Sequence, residues 1–107
     1  MGCDPGDRKF LEGGGRMRVT IVGGGLQGVE LCWLARKAGW GTLLVDERPA
    51  PPALRLADVF AQCDVTKLGG SGVLTRKVEH QILGTDIVIP ALENAAALAA
   101  LDGWCAR

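Results

Sequence analysis

The sequence predicts an α/β fold, a Rossmann-like doubly wound parallel sheet of about four strands with helices on both faces. Three observations lead there. Short β-branched runs alternate with segments of helical apolar spacing. A glycine cluster, Gly23-x-Gly25-x-x-Gly28, stands between the first run and the first helix. The resulting order, β-α-β-(α)-β-α-β-α, calls for right-handed crossovers and parallel strands.

Each element has its own signal. Val19, Ile21 and Val22 form a β-branched run that ends in glycines, as a buried parallel strand does. A helix follows from about Gln27 to Ala38; Leu31, Leu34, Ala35 and Ala38 share helical spacing and are expected to form its apolar face. Glu30 is expected in its first turn, beside the positive end of the helix dipole. Gly39 stops this helix, with Arg36 and Lys37 in its last turn. Thr42 to Val45 is a second strand, closed by Asp46. Pro49, Pro51 and Pro52 make Arg48 to Ala53 an irregular loop. A short helical turn near Leu54 to Ala57 leads into a third strand, Val59 to Cys63. After the flexible Gly69-Gly70-Ser71-Gly72 loop, Val73 to Leu83 reads as a helix and Asp86 to Pro90 as a fourth strand. Asn94 can N-cap a last, alanine-rich helix running to about Leu101. Trp33 and Trp40 are expected in core and edge packing, and His80, Lys67, Arg76 and Lys77 on solvated faces.

Composition narrows the function. The 107 residues carry 12 basic and 12 acidic side chains, so no charge excess calls for nucleic acid or an anionic membrane. A single histidine leaves little material for histidine metal sites or Ser-His-Asp catalysis. Cys3, Cys32, Cys63 and Cys105 show no C-x-x-C spacing and are read as reduced thiols of a cytoplasmic protein. Glycine is enriched: 16 of 107 residues, about twice the usual ~7% share. Residues 1 to 16 are aperiodic and are expected to be a disordered N-terminal extension, with Met17 reading like a protein start. The domain is expected to span 17–107.

The glycine loop has two readings. Its glycines permit a tight turn and close backbone approach, and the N–H groups of the helix start attract an anion. Asp46 lies 18 residues beyond Gly28, where a dinucleotide fold places its ribose-binding acid. On this stretch alone, a nicotinamide or flavin site of an oxidoreductase fits as well as any other doubly wound fold. Asp46 is placed either to accept hydrogen bonds from a ligand hydroxyl or to anchor its own loop in an Asx turn.

Over about Met17 to Leu101 the sequence resembles the N-terminal (preATP-grasp) domain of ATP-grasp ligases, within them the branch serving pyrrolysine biosynthesis. The likeness rests on Val22-Gly23-Gly24, Leu26-Gln27-Gly28, Glu30, Lys37-Ala38-Gly39 and Leu44-Val45-Asp46. It continues through Asp58, Phe60, Asp64 and the Pro90-to-Asn94 segment. Gly25 departs from the lysine that other members carry and leaves only a backbone contact there. The resemblance implies a ligase that uses ATP and Mg²⁺ to phosphorylate a carboxylate and joins 3-methylornithine to the ε-amine of L-lysine. It implies that Leu26 and Gln27 meet the lysine carboxylate and that Glu93 meets an ammonium group, or else begins the last helix. It further implies that Gly25, Asp46, Asp64 and Val65 border the nucleotide. No catalytic or metal-binding residue is expected on this chain. The phosphate-gripping and Mg²⁺-binding domains are expected on a missing C-terminal part or a second chain, and the 107 residues alone are expected to be inactive. A stand-alone amino-acid or nucleotide-binding module is a third reading.

Overall fold

The computed structural model describes residues 16–69, 72–92 and 95–105. The expected extension, residues 1 to 16, lies outside them except for Arg16, whose guanidinium stands 3.9 Å from Asp58.

Four parallel strands form one sheet: β1 (Arg18–Val22), β2 (Gly41–Asp46), β3 (Val59–Gln62) and β4 (Ile87–Pro90), in the order β3-β2-β1-β4. The register sets Val22 opposite both Val45 and Pro90, and Asp46 opposite Gln62, so the carboxyl ends of all four strands finish together. Among the described residues three α-helices accompany them: α1 (Leu26–Lys37), α2 (Val73–Leu83) and α3 (Ala95–Cys105). Among the described residues there are also two short 3₁₀ turns, Pro52–Leu56 and Val65–Lys67.

Strand alternation divides the core. Val19, Ile21 and Leu44 meet Cys32 and Ala35 of α1 and Ala53 of the first 3₁₀ turn. Val22, Leu43 and Val45 meet Val78 and Ile82 of α2 and Leu101 of α3. Successive strand residues point to opposite faces, so a five-residue strand serves both layers. Thr20 and Thr42 are buried among these apolar residues, yet both hydroxyls are satisfied. The Thr20 hydroxyl lies 2.7 Å from that of Thr85, and the Thr42 hydroxyl accepts from the Asp58 N–H at 2.9 Å.

The helix α1 is rotated relative to the expected face. Its buried residues are Gly28, Cys32 and Ala35, while Leu34 is 55% exposed and Ala38 is exposed. Close approach to the sheet selects the small side chains, which hydrophobicity alone would rank below leucine. Trp33 also stands outside the core, with the Lys37 ammonium 4.6 Å from its ring centre. Trp40 packs at the edge of the α1 layer as expected. Glu30 is exposed and lies beyond the first turn, which holds no acidic residue.

Other boundaries shift for tertiary reasons. The first 3₁₀ turn begins at Pro52, inside the expected loop, because a proline at the start of a helical turn gives up no needed N–H. The helix α3 continues past Leu101 to Cys105: Leu101 is buried and Trp104 packs on the same cluster, which outweighs the poor propensity of Asp102 and Gly103. The expected cap Asn94 and the tip of the 69–72 loop, Gly70 and Ser71, lie outside the described residues.

Cys32 is fully buried, and burial, aided by the nearby Asp58 charge, pushes its thiol up to about 11. A thiol kept protonated and covered should resist alkylation. In the native protein Cys32 is expected to stay unlabelled by iodoacetamide while exposed Cys105 reacts; peptide mass mapping checks this, and early Cys32 labelling would contradict the core assignment.

Candidate functional site

The site grows from the turn after β1. Gly23 adopts φ +108°, a conformation that L side chains rarely adopt, and its N–H donates to the Val45 carbonyl at 2.7 Å. A Cβ on Gly23 would press on the Ala91 carbonyl, and one on Gly28 would press on the Gly23 carbonyl. The two glycines let the chain leave β1, pass beside the residue after β4 and enter α1 without a gap. Gly24 lies against Pro51, 2.7 Å from where a Cβ would stand, and its carbonyl accepts from the Ala53 N–H at 3.0 Å. The proline-rich loop is therefore the floor of the glycine loop. Gly25 opens α1 with no side-chain cap.

Asp46, at the end of β2, ties this floor together. Its carboxylate accepts from the Gly24 N–H at 2.6 Å and from the Arg48 N–H at 2.8 Å. It also accepts from Arg48 Nε at 3.0 Å and Nη2 at 2.8 Å. Burial pushes the Asp46 carboxyl up, but the Arg48 and Gly24 hydrogen bonds and the Arg48 charge outweigh it and hold it below the usual 3.8. The bond from the Arg48 N–H is the Asx turn that the sequence allowed.

After β3, Asp64 starts the second 3₁₀ turn. Its Oδ1 accepts from the Thr66 N–H at 3.0 Å and the Thr66 hydroxyl at 2.7 Å. These bonds hold its carboxyl below the usual value. Both fall on Oδ1, so Oδ2 can still accept from a ligand. Val65 is buried under the turn.

These segments enclose a cavity of about 570 Å³, open to solvent, at the carboxyl ends of the strands. It lies where open α/β sheets bind ligands, and its volume suits a small molecule. Of the residues expected at the site, Gly25, Leu26, Gln27, Asp46, Asp64 and Val65 all line it. Glu93 lies outside the described residues, one position beyond the lining residue Leu92. The reading from sequence missed Arg48, Glu47 and Thr66, which also line it. The one available signal was an arginine two residues after an Asx-turn aspartate, and it carries little information without the fold. Among the described residues no three His, Cys, Asp or Glu side chains converge as a metal site.

No family model matches the sequence. The chain is 34% identical over 84 residues to the 3-methyl-D-ornithine–L-lysine ligase of Methanosarcina barkeri (strain Fusaro / DSM 804), covering 78% of this chain and 22% of that protein. The fold resembles N5-carboxyaminoimidazole ribonucleotide synthetase from Thermotoga maritima, with a TM-score of 0.62 and 22% identity. That likeness covers 84% of this chain and 23% of the other. An ADP complex of the same kind of synthetase gives a TM-score of 0.64 at 21% identity, over 82% of this chain and 22% of that one. The chain thus spans about a fifth of the length of these relatives. They are ligases and synthetases, which does not favour the oxidoreductase reading. The sequence match and the shared fold together bear out the resemblance to the N-terminal (preATP-grasp) domain of ATP-grasp ligases.

Proposed function

We propose that this chain is the substrate- and nucleotide-binding N-terminal domain of an ATP-dependent carboxylate–amine ligase that joins 3-methylornithine to the ε-amine of L-lysine through an acyl phosphate. The observation that carries the reading is the convergence of the glycine loop, the Asp46 corner and the Asp64 turn on one cavity. The uncapped start of α1 at Leu26 and Gln27 offers N–H groups to the lysine carboxylate. Glu93, next to the cavity in sequence, complements an ammonium group. Gly25, Asp46, Asp64 and Val65 border the nucleotide side, where Asp64 Oδ2 can accept from a hydroxyl or amine. The Mg²⁺-dependent phosphorylation belongs to the remainder of such a ligase, and the 107 residues alone bind without ligating. The partners are small molecules and the rest of the ligase, in the cytoplasm.

An ¹⁵N-labelled sample titrated with ADP, L-lysine and NAD⁺ tests this. ADP is expected to move the amide signals of Gly25 and of Asp64 to Thr66, and lysine those of Leu26 and Gln27. A response to NAD⁺ in place of both would reject the ligase reading.

A further inference from the structure

The proposed function leaves open which side chain carries charge to the ligand. A carboxylate has about four lone-pair positions, and Asp46 receives four hydrogen bonds from within the chain. It has no position left for a ribose hydroxyl or an ammonium group unless one of those bonds breaks. The group it holds is different in kind. Arg48 is half-exposed, lines the cavity, and uses two guanidinium N–H groups on Asp46; a guanidinium has five. Its Nη2 lies 3.6 Å from the point where a Cβ on Gly25 would stand, so the guanidinium sits beside the opening of α1. The other charged lining side chains among the described residues are Asp46, Glu47 and Asp64, all acidic. Arg48 is therefore the one cation of the described lining, and an anionic group has one favourable side chain to meet.

Resting on the ligase reading of this cavity, we propose that Arg48 is the ligand-contacting residue of the Asp46 corner. It binds a terminal oxyanion, either a nucleotide phosphate or an amino-acid carboxylate. Asp46 is then a positioning residue, acting through Arg48 and through Gly24. A planar fork held by two parallel bonds is pre-oriented, so little side-chain freedom is lost when the oxyanion arrives. The acidic residues Glu47 and Asp64 complement the positive end of a zwitterion and disfavour a second anion elsewhere in the cavity.

The test is calorimetric, on the 107-residue chain and its Arg48→Gln, Arg48→Lys and Asp46→Asn variants. Four probes are used: ADP, adenosine, L-lysine and 1,5-diaminopentane, which is lysine without its carboxylate. If phosphate is the oxyanion, Arg48→Gln weakens ADP about ten- to a hundredfold, as for a charge-assisted hydrogen bond, and leaves adenosine unchanged. If carboxylate is the oxyanion, lysine weakens by that factor and 1,5-diaminopentane does not. Arg48→Lys, which keeps the charge and loses the fork, falls between, and Asp46→Asn weakens the same probe as Arg48→Gln but by less. An Arg48→Gln variant with a native spectrum that binds all four probes like the parent overturns the proposal and leaves the ligase reading standing. Asp46→Asn losing more than Arg48→Gln also overturns it. A parent chain that binds none of the probes overturns both.

Discussion

Replacing Gly28 with alanine is expected to cost about 3 kcal/mol or more, the upper range for overpacking a tight site. The added methyl would press on the carbonyl of Gly23, a backbone atom that no side-chain rotation can clear. Gly23 cannot retreat, because its N–H is bonded to Val45 and its φ of +108° belongs to a tight turn packed under Ala91. Relief requires α1 to lift from the sheet, which would also open the layer around Cys32 and Ala35. Urea unfolding followed by circular dichroism measures the loss. A variant within about 0.5 kcal/mol of the parent, the usual range for surface changes, would mean that the helix is not seated as described. Alanine at Gly39 supplies the comparison: no atom lies within 4 Å of its added methyl, so only its φ of +80° is strained. Its cost is expected near 1 kcal/mol.

Asp46→Ala is the second large effect, about 2 kcal/mol at neutral pH. Most of that comes from leaving the buried Gly24 N–H without an acceptor. The Arg48 pair adds little, because its guanidinium is half-exposed and regains water. The pH dependence follows from the depressed Asp46 carboxyl. A carboxyl more acidic folded than unfolded stabilises the fold at pH above its ordinary value, 3.8, and that contribution is lost as pH falls through the folded value. The stability gap between parent and Asp46→Ala should therefore hold from pH 7 to about 5 and narrow below 4. Thermal melts across that range decide it; a gap that widened on acidification would reverse the assigned direction.

The strands, the glycine loop and the helix α2 were legible in the sequence because each depends on neighbours in the chain. Four β-branched residues ending in glycine, or apolar residues spaced over eleven positions, carry their own period. The grouping of Gly25, Leu26, Gln27, Asp46, Asp64 and Val65 was legible for a related reason. Asp46 ends a strand and the others follow one closely, and parallel strands in register deliver such ends to one edge. Glu93 has the same placement in sequence.

What only the tertiary structure decided concerns distance between elements. Which face of α1 is buried was settled by how closely the helix approaches the sheet, so Gly28, Cys32 and Ala35 went inside and Leu34 stayed out. The end of α3 was settled by Trp104 reaching a cluster built from other strands and helices. The saturation of the Asp46 carboxylate comes from four donors, of which the Gly24 N–H lies 22 residues away in the chain. Residue type and spacing determine where a chain turns and which ends meet. Saturation of a carboxylate and choice of a packing face depend on contacts between segments far apart in sequence, and only the assembled fold contains those.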